Sequence, residues 1–198
     1  MLDNIIQIDQ KILIFLNNLG SEQWDPFWLL ITNQLSWSPL FILILYLTIK
    51  SYGWKRGGCI ILSMILLVAF SDQFTNLIKN TTQRLRPNNN EEIKYLLRTL
   101  INPQGYSFMS GHATTSTFFS VYVVLLLKDK YKYIYLLLLF PLIFAYSRLY
   151  LGVHFPIDIL VGFAIGITFA NFYFIIFKRI ITNKLSFLKS KTRIKSRF

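Results

Sequence analysis

Five long apolar stretches constrain the fold of this chain more than any other feature. They occupy residues 26–49, 57–78, 113–127, 133–147 and 157–177. A helix of about 20 apolar residues crosses a hydrocarbon core of about 30 Å, and several stretches approach that length. The two shortest reach it only if they extend through their polar ends. With 54% hydrophobic residues, the chain is too apolar for a soluble globule of 198 residues. The sequence therefore predicts an all-α, polytopic membrane helical bundle.

The first 24 residues follow a different pattern. Apolar side chains recur there at helical spacing, at Ile5, Ile8, Ile12, Phe15 and Leu19. Asp9, Gln10 and Lys11 interrupt them, which predicts an amphipathic helix at the interface, with a sixth span as the alternative. We therefore expect five to six transmembrane helices in total. Three regions result: an N-terminal helix in 1–24, a membrane domain in 25–178 and a basic tail in 179–198.

The net charge of +12 is concentrated after the last apolar stretch. Residues 178–198 hold eight Lys or Arg side chains and no acid. A nucleic-acid site would need aromatic or base-reading groups among these charges, and only Phe187 and Phe198 are present. The segment is typical of a cytoplasmic tail facing anionic lipid. The expected partners are a membrane and a lipid, with no nucleic acid.

The loops between the apolar stretches differ in charge. If each stretch spans once, the basic loops 50–56 and 128–132 lie on the side of the tail. Because basic loops stay in the cytoplasm, the opposite side is predicted to be extracytoplasmic. That side receives residues 1–25, 79–111 and 148–156. All the polar clusters described next fall within these segments or directly beside them.

A histidine and an aspartate lie four residues apart at the start of the last apolar stretch. His154 and Asp158 flank Pro156, which suits the first turn of a helix. The Asp158 carboxylate can then reach one nitrogen of the imidazole, which leaves the other as an outward-facing base or nucleophile. Alone, such a pair could also be a helix cap.

Three cations stand at the ends of the apolar stretches, where charge is expensive and usually functional. They are Lys79, Arg86 and Arg148. Guanidinium groups match phosphoryl oxygens with paired hydrogen bonds, so the three cations could neutralise a phosphate. We assign Arg84, Lys94 and Arg98 instead to lipid headgroups, toward which their charged ends would extend.

The second histidine follows a serine and a glycine. In Ser110-Gly111-His112, serine can cap a helix and the exposed amides of the helix start can bind an anion. His112 could then protonate a leaving group from a second direction. Histidines surrounded by Arg and Lys would repel a divalent cation, so we predict no metal and no cofactor.

Taken in order, K79-x6-R86-P87, S110-G111-H112 and S147-R148-x5-H154-x3-D158 resemble the motifs of the type-2 phosphatidic acid phosphatase superfamily. One residue departs from the pattern, because Met109 stands where the family usually has proline. Only the fixed φ of proline is lost by this change, and the amides of the turn remain.

The resemblance implies a metal-independent phosphatase with a six-helix membrane core. By that resemblance His154 attacks phosphorus, Asp158 orients it and His112 protonates the leaving oxygen. The remaining motif residues would hold the phosphoryl oxygens: Lys79, Arg86, Ser110, Gly111 and Arg148. Asp72 and Asn76 lie outside the motifs, two turns and one turn before Lys79 respectively, and are candidates for supporting the pocket from behind.

Within the family, this short chain most resembles a bacterial undecaprenyl diphosphate phosphatase of the cell membrane. The active site is then expected on the extracytoplasmic face. Phosphatidylglycerolphosphate, phosphatidic acid and lipid A 1-phosphate are alternative substrates, because the motifs recognise only the phosphoryl group. A transporter with intramembrane charges is the alternative of a different class. Vanadate-dependent halide oxidation, found in related soluble enzymes, is disfavoured by the apolar stretches.

Overall fold

The computed structural model describes the backbone of residues 2–195 and the side chains of residues 3–180. Its six α-helices are α1 (Leu2–Asn18), α2 (Asp25–Thr32), α3 (Ser38–Thr82), α4 (Gly111–Leu127), α5 (Leu139–Tyr150) and α6 (Pro156–Lys195). A 3-10 helix over Lys132–Leu138 leads into α5, and residues 2–195 contain no β-strand. The all-α prediction is confirmed. The side chains of the predicted basic tail lie almost wholly outside the described residues.

Helix α3 consists of two arms that meet at a reversal of the chain. Gly53 has φ 71° and ψ 170°, a conformation that glycine adopts without strain. Beyond it the second arm returns beside the first, since a Cβ on Gly57 would lie 3.2 Å from the Cα of Ile49. A straight helix would separate these residues by about 12 Å. The predicted stretch 57–78 is therefore a helix of its own, packed against the preceding arm.

The first predicted apolar stretch, 26–49, is not continuous. The helix α2 ends at Thr32, and Asn33 is extended with ψ 120°. The Asn33 side chain accepts a hydrogen bond from the Leu35 N–H at 3.0 Å, which stabilises the turn in place of helix. Helix α3 then begins at Ser38 with a proline in its first turn. The apolar stretch therefore contains two separate helices, α2 and the first arm of α3.

Among the described residues, three segments are long and apolar enough to cross a membrane: Gln34–Asn89, Lys132–Tyr150 and Pro156–Ile180. The first of them includes both arms of α3, and α4 is a shorter apolar helix. Large apolar side chains point outward along these segments, among them Ile42, Leu62, Leu66, Leu160 and Phe172. An outer surface of this kind is suited to lipid and not to water.

The core of the bundle lies around α4. Phe118 and Tyr122 of α4 are almost fully buried and pack with residues of α3, α5 and α6. Helices α4 and α6 approach closely, because a Cβ on Gly166 would lie only 2.8 Å from the carbonyl oxygen of Thr114. Small residues permit this kind of backbone contact between membrane helices.

Helix α1 is amphipathic, as predicted, and its two faces have different neighbours. The predicted apolar positions face outward, with Ile8 56% and Phe15 64% exposed. Asp9, Leu13 and Asn17 face the protein and are at most 2% exposed. The polar residues of the helix therefore hold it to the bundle, and its apolar face is free for lipid.

Asn17 connects α1 to the loops near the predicted site, and its removal should destabilise the protein. Its amide nitrogen lies 2.7 Å from the Tyr150 carbonyl and 3.1 Å from the Arg98 carbonyl, and its oxygen accepts the Arg98 N–H at 2.7 Å. We expect Asn17→Ala to lower the free energy of unfolding by about 2–3 kcal/mol, because buried polar groups lose their partners. Denaturant unfolding in detergent measures this change. Asn18→Ala, which removes one exposed bond to Leu96, should have less than half the effect, and equal effects would contradict the assignment.

Candidate active site

Residues from three distant parts of the sequence meet at one end of the bundle. The loop after α3 reaches the loop before α6, where Arg86 Nη1 donates to the Val153 carbonyl at 3.1 Å. The start of α4 reaches the same place, because the Ser110 N–H donates to the Asp158 carbonyl at 3.1 Å. The three motifs of the sequence therefore surround one small region.

His154 is 1% exposed and lies between an acid and a cation. Helix α6 begins at Pro156, which places Asp158 in the first turn. There its Oδ2 lies 3.4 Å from His154 Nδ1 and accepts the Phe155 N–H at 3.0 Å. Asp158 therefore favours the tautomer with a proton on Nδ1, which leaves a lone pair on Nε2. Arg86 Nη1 lies 3.2 Å from that Nε2.

Burial sets the charge of the imidazole. It lowers the pKa of His154 to about 4, even though the Asp158 carboxylate acts in the opposite direction. The ring is therefore neutral at physiological pH. A neutral ring with its free nitrogen beside a guanidinium is suited to attack an electrophile that carries negative charge.

The three predicted cations converge with few compensating charges. Lys79, Arg86 and Arg148 are close enough to interact electrostatically with one another. Arg148, at the end of α5, is 5% exposed and donates to the Thr32 hydroxyl. The buried Nε atoms of Arg86 and Arg148 have no hydrogen-bond partner within the part of the chain that the structure describes. Buried donors without partners are rare, and here they belong to cations that an anion would satisfy.

The start of α4 lies against these cations. Ser110 caps the helix, with its hydroxyl accepting the Ala113 N–H at 3.4 Å. A Cβ on Gly111 would lie 3.7 Å from Lys79 Nζ, so the glycine brings the backbone close to the ammonium group. The His112 ring packs on Phe144 with 4.8 Å between ring centroids. Amides at a helix start beside a lysine form a suitable environment for a phosphoryl group.

The two histidines are near each other. His112 interacts electrostatically with His154 and with Arg148. Met109, which replaces the usual proline, is buried at 1% exposure. The sequence predicted the neighbourhood of these groups from three separate motifs, and the structure brings all eight motif residues to one end of the bundle.

Asp72 and Asn76 are placed less centrally. They lie on the exposed face of α3, where the Asn76 amide donates to Asp72 Oδ2 at 3.2 Å. Asp72 interacts electrostatically with Lys79, one of the three cations. The pair is connected to the site through Lys79 and also through Thr75, whose hydroxyl donates to the Asp72 carbonyl at 3.0 Å and lies beside Gly111.

The assignment of Arg84 and Arg98 to lipid headgroups was wrong. Arg84 donates to both Asp9 and Asp158 at 2.7 Å, and Arg98 pairs with Asp25 at 2.9 Å. Lys94 pairs with Glu91. The missed signal was Asp9, since an acid within an amphipathic apolar pattern needs a partner when its helix packs against protein.

This arrangement can bind and displace an anionic group. The cations and the amides at the start of α4 can neutralise oxygens, the His154 ring can attack and the His112 ring can supply a proton. Within residues 3–180, the structure shows no group of three or more His, Cys, Asp or Glu side chains placed to hold a metal ion.

Comparisons with known proteins identify the family of the chain. The PAP2 superfamily matches residues 56–181. The chain is 33% identical to the lipid A 4'-phosphatase of Bacteroides thetaiotaomicron over 170 residues, which cover 84% of this chain and 75% of that protein. It is 28% identical to the undecaprenyl-diphosphatase of Sulfolobus acidocaldarius over 156 residues, which cover 78% of this chain and 64% of that protein.

The fold has a solved counterpart as well. The crystal structure of a transmembrane PAP2-type phosphatidylglycerolphosphate phosphatase from Bacillus subtilis superposes with a TM-score of 0.69 at 20% identity. The superposition covers 91% of this chain and 87% of that one. The family match extends over more than half of the chain and includes all three motifs. The chain belongs to the PAP2 superfamily, the type-2 phosphatidic acid phosphatases, and is a membrane lipid phosphatase.

Proposed function

We propose that the protein hydrolyses the terminal phosphate of a membrane lipid through a phosphohistidine on His154. The observation that carries the proposal is the environment of the His154 ring. Its Nε2 atom lies 3.2 Å from Arg86 Nη1, while its Nδ1 atom faces Asp158. A phosphoryl group bound to Arg86 would lie directly in front of the nucleophile. Positioning of this kind provides much of the catalysis in phosphoryl transfer.

The proposed reaction has two steps. His154 Nε2 attacks phosphorus, the bond to the lipid oxygen breaks and His112 donates a proton to that oxygen. Water then gives a proton to His112 and attacks phosphorus, the phosphorus–nitrogen bond to His154 breaks and inorganic phosphate leaves. Lys79, Arg86, Arg148 and the amides at Ser110 and Gly111 stabilise the charge on the phosphoryl oxygens in both steps.

We propose a lipid A phosphate as the preferred substrate and undecaprenyl diphosphate as the second candidate. The 33% identity to a lipid A 4'-phosphatase favours the first. The likeness to an undecaprenyl-diphosphatase at 28% identity supports the second, which the resemblance to short bacterial members of the family had suggested. Both substrates keep an apolar tail in the bilayer and present the phosphate at its surface.

Phosphate release from a panel of lipids tests this proposal. Purified protein in detergent is given lipid A, undecaprenyl diphosphate, phosphatidylglycerolphosphate and phosphatidic acid at equal concentration, and kcat/KM is compared. We expect lipid A to be the best substrate and orthovanadate, a phosphate mimic, to inhibit the reaction. A better rate with undecaprenyl diphosphate would reverse the order of the two substrates. Release from none of them would refute the proposed function.

The proposal also places the site on the extracytoplasmic face of the cell membrane, with the C-terminal tail in the cytoplasm. The support is the positive charge of loops 50–56 and 128–132, which lie at the opposite end of the bundle from His154. Single cysteines report the orientation. In a Cys59→Ala background, Tyr95→Cys should react with an impermeant thiol reagent added outside intact cells, and Asp129→Cys only after the cells are opened.

Both test positions are exposed and lie outside the segments that can cross the membrane, so accessibility depends on the side of the membrane. The reverse labelling pattern would place the site in the cytoplasm and overturn the proposed orientation. The phosphatase reaction itself would be unaffected by that outcome.

A further inference from the structure

We infer that Asp9 of α1 is a positioning residue for the reaction, holding Arg84 so that Arg84 fixes the Asp158 carboxylate behind the His154 imidazole. The inference rests on the proposed phosphohistidine reaction and adds to it a part of the chain that contains none of the family motifs. Asp9 and His154 are 145 residues apart in the sequence. The N-terminal helix thereby takes part in aligning the nucleophile.

Arg84 bridges two buried carboxylates. Its Nη2 donates to Asp9 Oδ2 and its Nη1 to Asp158 Oδ1, each at 2.7 Å, and both acid side chains are 0% exposed. The guanidinium carbon also lies 3.9 Å from the centre of the Phe155 ring. Because the group is planar and held by both acids and the ring, its orientation is fixed.

The two oxygens of Asp158 have separate tasks. Oδ1 accepts from Arg84, whereas Oδ2 faces His154 Nδ1 at 3.4 Å and accepts the Phe155 N–H. The contact to the histidine is long for a hydrogen bond, so small movements of the carboxylate decide how well it holds the ring. Arg84 is the side chain that restrains the carboxylate from the opposite oxygen.

Asp9 restrains the same region through the backbone. Its Oδ1 accepts the Ile157 N–H at 2.9 Å, in the first turn of α6 and next to Asp158. Amides in a first helical turn have no partner within the helix, so an external acceptor is needed there. Burial raises the pKa of the Asp9 carboxyl, while Arg84 and the Ile157 amide favour its charged form. One carboxylate thus orients both Arg84 and the start of α6.

The variant Asp9→Asn removes the negative charge of the side chain and keeps its shape. An amide has one acceptor oxygen, so if it keeps the Ile157 N–H, its own N–H groups face the donors of Arg84. We expect Asp9→Asn to lower kcat at least tenfold with KM within twofold of wild type. Groups that orient a reactive side chain often contribute about 10–100-fold to activity. Arg84→Gln should lose as much, and the double variant should lose no more than the worse single variant.

Asp25→Asn is the matched control, because Asp25 also pairs with a partly buried arginine, Arg98 at 2.9 Å, without touching His154 or Asp158. Its kcat should stay within twofold of wild type. Full-length protein, purified in detergent, is assayed with whichever lipid phosphate wild type hydrolyses, and melting temperatures are measured in parallel. If Asp9→Asn does not fold, Arg84→Lys tests the inference in its place. One ammonium group cannot donate to Asp9 and Asp158 with the geometry of the guanidinium, so Arg84→Lys should show the same loss in kcat.

Three results would overturn the inference. The first is a folded Asp9→Asn, or in its place a folded Arg84→Lys, with kcat within twofold of wild type. The second is a rise in KM at unchanged kcat, which would make Arg84 a phosphate ligand. The third is independent, multiplying losses in the double variant. None of them touches the proposed function, which depends on His154→Ala and on phosphate release by wild type.

Discussion

His154→Ala is expected to lower phosphate release by at least about 10⁴-fold, the scale on which enzymes lose activity without their nucleophile. The loss should appear in kcat, since the cations that bind the phosphoryl group remain in place. A second signature should disappear with it. Wild type, quenched during turnover of a radiolabelled lipid phosphate, should carry label that is lost in acid and kept in base, as expected for a phosphorus–nitrogen bond.

Cys59→Ala is the control for this measurement, because Cys59 is exposed on the outer surface of the bundle, away from the site. It should retain activity within twofold and form the labelled intermediate. Activity within tenfold of wild type in His154→Ala would assign the attack to another group or to water. Label that survives acid would contradict a phosphohistidine even if the activity were lost.

Arg148→Gln is expected to lower kcat/KM by about 10²–10³-fold without lowering the stability of the protein. The activity falls because one donor to the phosphoryl oxygens is lost. The stability holds because Arg148 is 5% exposed, lies near two other cations and has an Nε without a partner among the described residues. Removing a buried charge that the protein does not compensate relieves repulsion and desolvation.

Melting temperatures measured with and without orthovanadate separate the two effects. Wild type should be stabilised by the anion, as any ligand that binds only the folded state stabilises it. Arg148→Gln should melt at or above the wild-type temperature without vanadate and gain much less from its addition. A strong loss of stability without the anion would instead make Arg148 a structural residue, held by its bond to Thr32.

The sequence allowed prediction of the parts of the site that recur as local patterns. Pro156 and Asp158 indicate the start of one helix, and Ser110 indicates the start of another. The positions of His154 and His112 at helix starts could therefore be predicted. The convergence of the three motifs followed from counting the loops between apolar stretches. The reversal of the chain at Gly53 lies within residues 50–56, which were predicted to be a loop because they are basic.

Other features depend on contacts that no local pattern encodes. Asp9 and Arg84 are 75 residues apart, and although the acid in the amphipathic pattern calls for a partner, nothing in either segment identifies which cation it is. Their pairing exists only because α1 packs across the loops around α6. The break at Asn33 was missed for a different reason, since an apolar run of suitable length conceals one side-chain hydrogen bond that ends a helix.

The contact between α4 and α6 restricts how a substrate reaches the site. Gly166 leaves no room for a single additional methyl group against Thr114. A fatty acyl or polyprenyl chain therefore cannot slip between these two helices at that level. A lipid diffusing in the plane of the bilayer has to approach His154 along another flank of the bundle, and differences between family members in chain selection should be sought on those flanks.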